Sequence, residues 1–251
     1  GETGHFTTSY QDYELAFWEA KGDTNHVFAY DARALKPGRE LDVTPYKSKV
    51  KIHAYYQNSD AFTTRATNGP VYINGSGIGM LEQRKPEKEV TQNAPGLIFT
   101  LKEEGKPDRE VLLYGQELNP LILTLDGRRV FAQFRLKHYP LNFSLRLTDF
   151  IKNVHPGTDI PSSFESKAEL TENGSSRPVK VWMNNPLRHG GYTYFQASYA
   201  QAKGMAEKST FAVVTNPGRL VPYISSLVVF GGLLLHFLIK LIPFIRKEAA
   251  K

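Results

Sequence analysis

The sequence predicts a mainly β domain, a sandwich or a partly closed barrel, joined to one transmembrane α-helix near the C-terminus. Three observations predict it. Residues 220–239 form an apolar run without a formal charge. Twenty helical residues rise about 30 Å, the thickness of a hydrocarbon core. Upstream, short runs rich in β-branched and aromatic residues are separated by turn residues. Aromatics reach 12% of the chain, with 13 Tyr and 15 Phe, which suits pleated, half-buried surfaces. The expected division is a β-rich domain over 1–219, a membrane helix over 220–245 and a short basic tail over 246–251.

Within the domain, alternation places strands at 13–19, 27–31, 49–56, 96–101, 110–113, 121–125 and 129–137. Further strands are expected at 143–150, 163–170, 177–183, 192–197 and 209–215. Asp126-Gly127 and Asn173-Gly174 lie between such runs and predict hairpins. Asn68-Gly-Pro70, Asn74-Gly75, Pro156-Gly157 and Asn216-Pro-Gly218 punctuate the rest. The segment 68–95, rich in Gly, Pro and charge, reads as a long mobile loop or a boundary between two β lobes.

Composition excludes several chemistries. Cysteine is absent, which removes disulfides, thiolate metal sites and a covalent Cys-x-x-Cys-His haem attachment. No two of the seven histidines have the i, i+4 spacing of a helical metal site. Gly75-Ser-Gly-Ile-Gly79 lacks the Gly-Lys-Ser ending and strand-to-helix frame of a phosphate loop. No nucleophile elbow occurs, and the expectation is no catalytic residue in this chain. The net charge of +6 is spread along the sequence, so no nucleic-acid partner is expected. No signal peptide follows Gly1; export is expected to depend on processing or on upstream membrane segments outside this sequence.

The apolar run has positional detail. Pro222 suits a first helical turn, where its missing N–H costs nothing. Tyr223 fits the lipid interface, and Lys240 can snorkel to the far headgroups. Arg246, Lys247 and Lys251 make the following tail cytoplasmic by the positive-inside rule. The β domain is then periplasmic, on a bacterial inner membrane. Ser225, Val229, Gly232, His236 and Lys240 share one helical stripe. An intramembrane histidine is costly against lipid and turns toward protein, water or a cofactor. Gly232, one turn before His236, leaves room for a planar group such as haem, with His236 as axial ligand to its iron. A hydrogen bond from His236 to a neighbouring helix is the equal alternative.

The C-terminal part of the chain resembles a known family. The run Phe143-Ser-Leu-Arg-Leu-Thr-Asp-Phe150, then His155-Pro-Gly157, then Pro161-Ser-Ser-Phe-Glu-Ser166 is similar to the ResB-like family of cytochrome c biogenesis (system II). Asn185-Pro-Leu-Arg-His-Gly-Gly-Tyr-Thr-Tyr-Phe-Gln-Ala-Ser-Tyr199 resembles that family's most recognisable segment, through Asn185, Pro186, Leu187, Gly190, Gln196 and Tyr199. Thr215-Asn-Pro-Gly218 ahead of the apolar run resembles its end, and Gly1-Glu-Thr3 resembles the point where its extracytoplasmic domain leaves a membrane helix. The resemblance covers roughly 141–240. It implies an assembly factor that works with a multi-helix haem-handling membrane protein to present haem to apocytochrome c. The chain is then at most part of a haem-attachment (holocytochrome c synthase) complex. A non-catalytic accessory subunit of a membrane electron-transfer complex is the alternative. Read physically, Gly190 and Gly191 permit positive φ. Alternation from Tyr192 to Tyr199 sets Tyr192, Tyr194, Gln196 and Ser198 on one face. A hairpin with core aromatics is the first reading of this motif, and a ligand site the second.

Overall fold

The computed structural model describes residues 3–21, 24–63, 69–158, 160–200 and 208–249. The chain is mainly β with sandwich-like sheets, and among the described residues no sheet closes into a barrel. It forms two compact units. One comprises residues 6–140 and the other residues 1–5 with 141–251. The division falls inside two strands, at residues 5/6 and 140/141, rather than in the 68–95 segment.

The unit of residues 6–140 is built on β1 (Thr3–Lys21), β2 (Thr24–Asp31), β3 (Glu40–Asp42), β4 (Ser48–Tyr56), β5 (Ser59–Phe62) and β6 (Met80–Gln83). It continues with β7 (Gly96–Glu103), β8 (Arg109–Tyr114), β9 (Leu121–Leu125) and the first half of β10 (Arg128–Val154). Strands β3, β4, β7 and β8 form an antiparallel sheet in that order. β7 is buried at six successive positions, from Gly96 to Leu101. Its apolar run explains this: Leu97, Phe99 and Leu101 face the main core, while Ile98 faces a smaller one with Ile78, Leu81 and Leu112. A strand covered on both faces needs no polar alternation.

The main core also takes Leu15 and Phe17 from β1, Val50 and Ile52 from β4, and Val130, Ala132 and Phe134 from β10. Each fully buried large apolar side chain contributes roughly 1.5–3 kcal/mol. β9 and β10 join at Asp126-Gly127, whose φ angles of 48° and 74° are those of the tight hairpin turn expected there.

His138 sits on β10 with its ring stacked on Phe6, centroids 4.0 Å apart. Burial, reinforced by the Arg135 charge, pushes the imidazole down to about 4. The folded state therefore favours neutral His138. The stability this contributes is complete above the unfolded pKa of about 6.5 and is lost as pH falls toward 4. Urea unfolding of the full chain in detergent should show about 2 kcal/mol lost between pH 7 and pH 4. His138→Gln should remove most of that loss; an unchanged pH dependence would rule His138 out as its source.

The other unit comprises the second half of β10 with β11 (Pro161–Glu172), β12 (Ser175–Trp182), β13 (Leu187–His189), β14 (Tyr192–Ala200), β15 (Lys208–Val214) and α1 (Val221–Ala249). β10, β11 and β12 pair antiparallel, with β11 and β12 turning at Asn173-Gly174, φ 50° and 77°. β13, β14 and β15 form a separate antiparallel sheet. Leu170 of β11, Val179 and Val181 of β12, Leu187 of β13 and Tyr194 of β14 meet Phe143 of β10 in a second core.

α1 starts at Val221 with Pro222 in its first turn, and its stretch Val221–Pro243 is long and apolar enough to cross a membrane. None of that stretch is buried by the rest of the protein. The helix runs on through Pro243 and Arg246 to Ala249 rather than ending at the basic tail. Lys251 lies outside the described residues, as do Gly1, Glu2 and Asn68.

Candidate functional site

The residues singled out from the sequence fall into two groups. The first is the segment 185–199. Trp182 and Asn185 bond across a tight turn, with Asn185 N–H donating to Trp182 O at 2.9 Å and Trp182 N–H donating to Asn185 O at 3.3 Å. Pro186 follows in extended chain, and Leu187 plunges into the second core. Gly190 and Gly191, φ 59° and 80°, make the two-residue turn between β13 and β14, with His189 opposite Tyr192. Gly190 has a second constraint: a Cβ there would stand 2.9 Å from the Phe143 ring. Phe143 packs edge-on against His189 at 4.6 Å and Tyr194 at 6.0 Å. Thus the glycine is fixed by turn geometry and by close packing together.

Gln196 anchors the polar side of this segment. Ser166 on β11, fully buried, donates its hydroxyl to Gln196 Oε1 at 2.5 Å. Gln196 Nε2 donates to Ser209 Oγ on β15 at 3.0 Å and to Ser198 O at 3.1 Å. The Ser166 and Ser209 hydroxyls are themselves 2.7 Å apart. Three strands are thereby tied through one amide. Nothing in the sequence pattern marks Ser166 or Ser209 as its partners, because the link joins residues 30 and 13 positions distant.

The expected alternation breaks at this point. The register shifts between Gln196, opposite Phe211, and Ser198, opposite Thr210. A bulge at Ala197 therefore moves Ser198 off the face of Tyr194 and Gln196. Tyr199 pairs with Ser209 through its backbone; its side chain lies outside the described residues.

Within this segment two buried polar atoms lack hydrogen-bond partners among the described residues: the Tyr194 hydroxyl and His189 Nε2. The latter stands 3.2 Å from Glu172 Oε2. Burial, with Tyr192 nearby, pushes the Tyr194 phenol up to about 12, so it stays protonated. No nucleophile stands beside either group among the described residues, and the one acid–base neighbour is the Glu172 carboxylate beside His189. The segment is a packed hairpin in which Gln196 ties the strands together.

The second group is Gly232 and His236 on α1. No described contact joins them to 185–199. The His236 ring meets Phe237 at 6.1 Å, and a Cβ on Gly232 would meet nothing within 4 Å. Ser225, on the same stripe, donates its hydroxyl to Pro222 O at 3.0 Å and is satisfied within the helix. His236 has no such partner among the described residues. An imidazole nitrogen beside open space is a donor of the type that a planar iron-bearing group would take. Among the described residues no cluster of three or more His, Asp or Glu side chains could hold a metal ion.

A mainly β protein with a helix long enough to cross a membrane is a membrane-anchored domain protein in class. Comparison narrows it: residues 111–211 match the family model described as the ResB-like family. It is also 34% identical over 119 residues to Protein NrfI of Wolinella succinogenes. That similarity covers 46% of this chain and 13% of NrfI, so the chain spans a small part of its relative's length.

Gly190→Ala should destabilise the protein by about 2 kcal/mol or more, since positive φ and the Phe143 ring act together. Gly191→Ala meets open space and should cost about 1 kcal/mol from φ alone. Chemical unfolding of both variants checks the difference; equal losses would remove the Phe143 contact from the explanation.

Proposed function

We propose that this chain is a membrane-anchored cytochrome c biogenesis factor. It assists haem delivery and attachment to apocytochrome c together with a multi-helix haem-handling partner. The ResB-like match over 111–211 is the observation that carries this reading. The fully exposed α1 with His236 on its small-residue stripe supports it. The domain lies on the periplasmic side of the inner membrane in this proposal, and the basic Arg246 end of α1 lies in the cytoplasm.

In this reading α1 packs its stripe of Ser225, Gly232 and His236 against partner helices, where small side chains allow close approach. Bound haem would supply the redox-active iron and the vinyl groups that react with apocytochrome thiols. His236 would hold that group through an imidazole nitrogen. Gly232 keeps a side chain out of its way. With one such donor on one helix, the rest of the site would come from a partner chain. The 185–199 hairpin serves as scaffold, consistent with the bonds of Gln196 to neighbouring strands.

Purification of the full chain with its membrane partners should give a haem Soret band that weakens severalfold in His236→Ala while the complex stays intact. An unchanged band would remove His236 as ligand. Stable co-purification with a redox complex, with normal cytochrome maturation after deletion, would overturn the proposal in favour of an accessory subunit.

A further inference from the structure

In the unit that carries α1, three strands stand at the end of a sheet: β12, β13 and β15. β12 is interrupted by Pro178 and carries Arg177 and Lys180, and β13 has three residues. Proline, charge and shortness each keep a strand edge from pairing with another chain. β15 has none of these protections along its length. From Ser209 to Thr215 the chain reads Ser-Thr-Phe-Ala-Val-Val-Thr, without charge, proline or glycine. The bulge at Ala197 lies in β14, so β15 itself is regular.

The pairing of β15 is one-sided. The strand is laddered to β14, and no backbone bond from it reaches any other described residue. A strand paired on one side turns the other half of its N–H and C=O groups outward. Phe211 and Val213 pack on the second core, while Thr210, Ala212 and Val214 are exposed. The open edge thus presents donors and acceptors in the repeat of an extended chain, about 3.4 Å per residue. Another extended backbone is complementary to that repeat; a lipid headgroup or a compact small molecule is not. Residues 215–220 alone separate β15 from α1, a reach of ~20 Å at full extension. The edge is therefore held close to the membrane end of its unit.

We propose that β15 takes a segment of apocytochrome c as an added strand, extending the sheet of β13, β14 and β15 by one. The identity of this client rests on the function proposed above; the strand addition rests on the edge itself. A chain awaiting haem is unfolded, so its backbone groups are free to pair. Main-chain bonds carry the affinity and ask little of the client's side chains. Thr210 and Ala212 are small and exposed, which leaves room for bulky neighbours on the added strand. An extended chain sets residues i and i+3 on opposite faces. Both thiols of a Cys-x-x-Cys unit must reach one haem, so that unit lies beyond the strand and the segment held is the one flanking it.

The test uses the full chain in lipid nanodiscs, without haem and under reducing conditions. The probe is a synthetic peptide with about eight flanking residues ahead of Cys-x-x-Cys-His, long enough for one strand. Hydrogen exchange of the outward amides of β15 should slow about tenfold when the peptide is added. N-methylation of alternate flanking residues should weaken binding about tenfold in one frame and leave it nearly unchanged when shifted by one residue. Thr210→Lys with Ala212→Lys should weaken it similarly, because lysine protects an edge. If that variant fails to fold by circular dichroism, the methylated peptides give the same reading on the unaltered chain. Binding indifferent to the methylation frame overturns the proposal, as does protection outside β15 or a dimer of this chain that occupies the edge. The two readings fail separately. A chain that binds no haem with its partners yet protects β15 refutes the haem role and keeps the strand addition. A chain with the haem band whose β15 amides exchange unchanged keeps that role and overturns this inference.

Discussion

The desolvation of α1 governs the rest of this molecule. From Val221 to Pro243 its side chains stand open, with none of the span buried by the protein. Each large apolar side chain kept in water forgoes roughly 1.5–3 kcal/mol, and the sum over the helix reaches tens of kcal/mol. No single domain has a stability large enough to carry that cost. A bilayer removes it and at once creates another demand. Inside lipid, every polar group must find a partner. The backbone finds one within the helix, and Ser225 finds one at Pro222 O. His236 does not, so the constraint that places the helix in a membrane also requires company for the imidazole.

Much of the β architecture was legible in advance. Asp126-Gly127 and Asn173-Gly174 are hairpin turns because both positions of each adopt positive φ, which Asp, Asn and Gly tolerate best. The strand over Leu121–Leu125 is read to the residue, since its alternation is complete. Short strands were invisible: β3, β5, β6 and β13 have three or four residues, too few for a period to show. The long strand β10 read as two because Pro140 interrupts its pattern. Proline removes one ladder donor there without ending the strand. The 68–95 segment holds β6, paired with β5, and a 3-10 turn at Val90–Gln92 closed by local bonds to Glu89 and Val90, both too short to show a period.

The candidate site was legible to a different depth. Gly190 could be marked as a turn glycine, but its contact with Phe143 joins positions far apart in sequence and belongs to tertiary packing. Gln196 could be expected to meet a neighbour; which neighbour depended on β11 and β15 flanking it in space. The bulge at Ala197 is written in the pairing with β15 and has no glycine or proline to announce it. Residues of this kind carry a recognisable motif because they fix a hairpin, and fixing a hairpin is a sufficient reason for each.

This separates two roles along the chain. The 185–199 hairpin spends its polar groups internally: one amide joins three strands, and the Tyr194 phenol remains protonated in the second core. Most of its polar groups are engaged in holding the hairpin, with the Tyr194 hydroxyl and His189 Nε2 left without hydrogen-bond partners. α1 is the reverse, with an imidazole and an open flank that nothing in the described chain fills. In the proposed role, then, chemistry resides where the protein is incomplete, and the well-packed β units hold that incomplete surface at the membrane for a partner to finish.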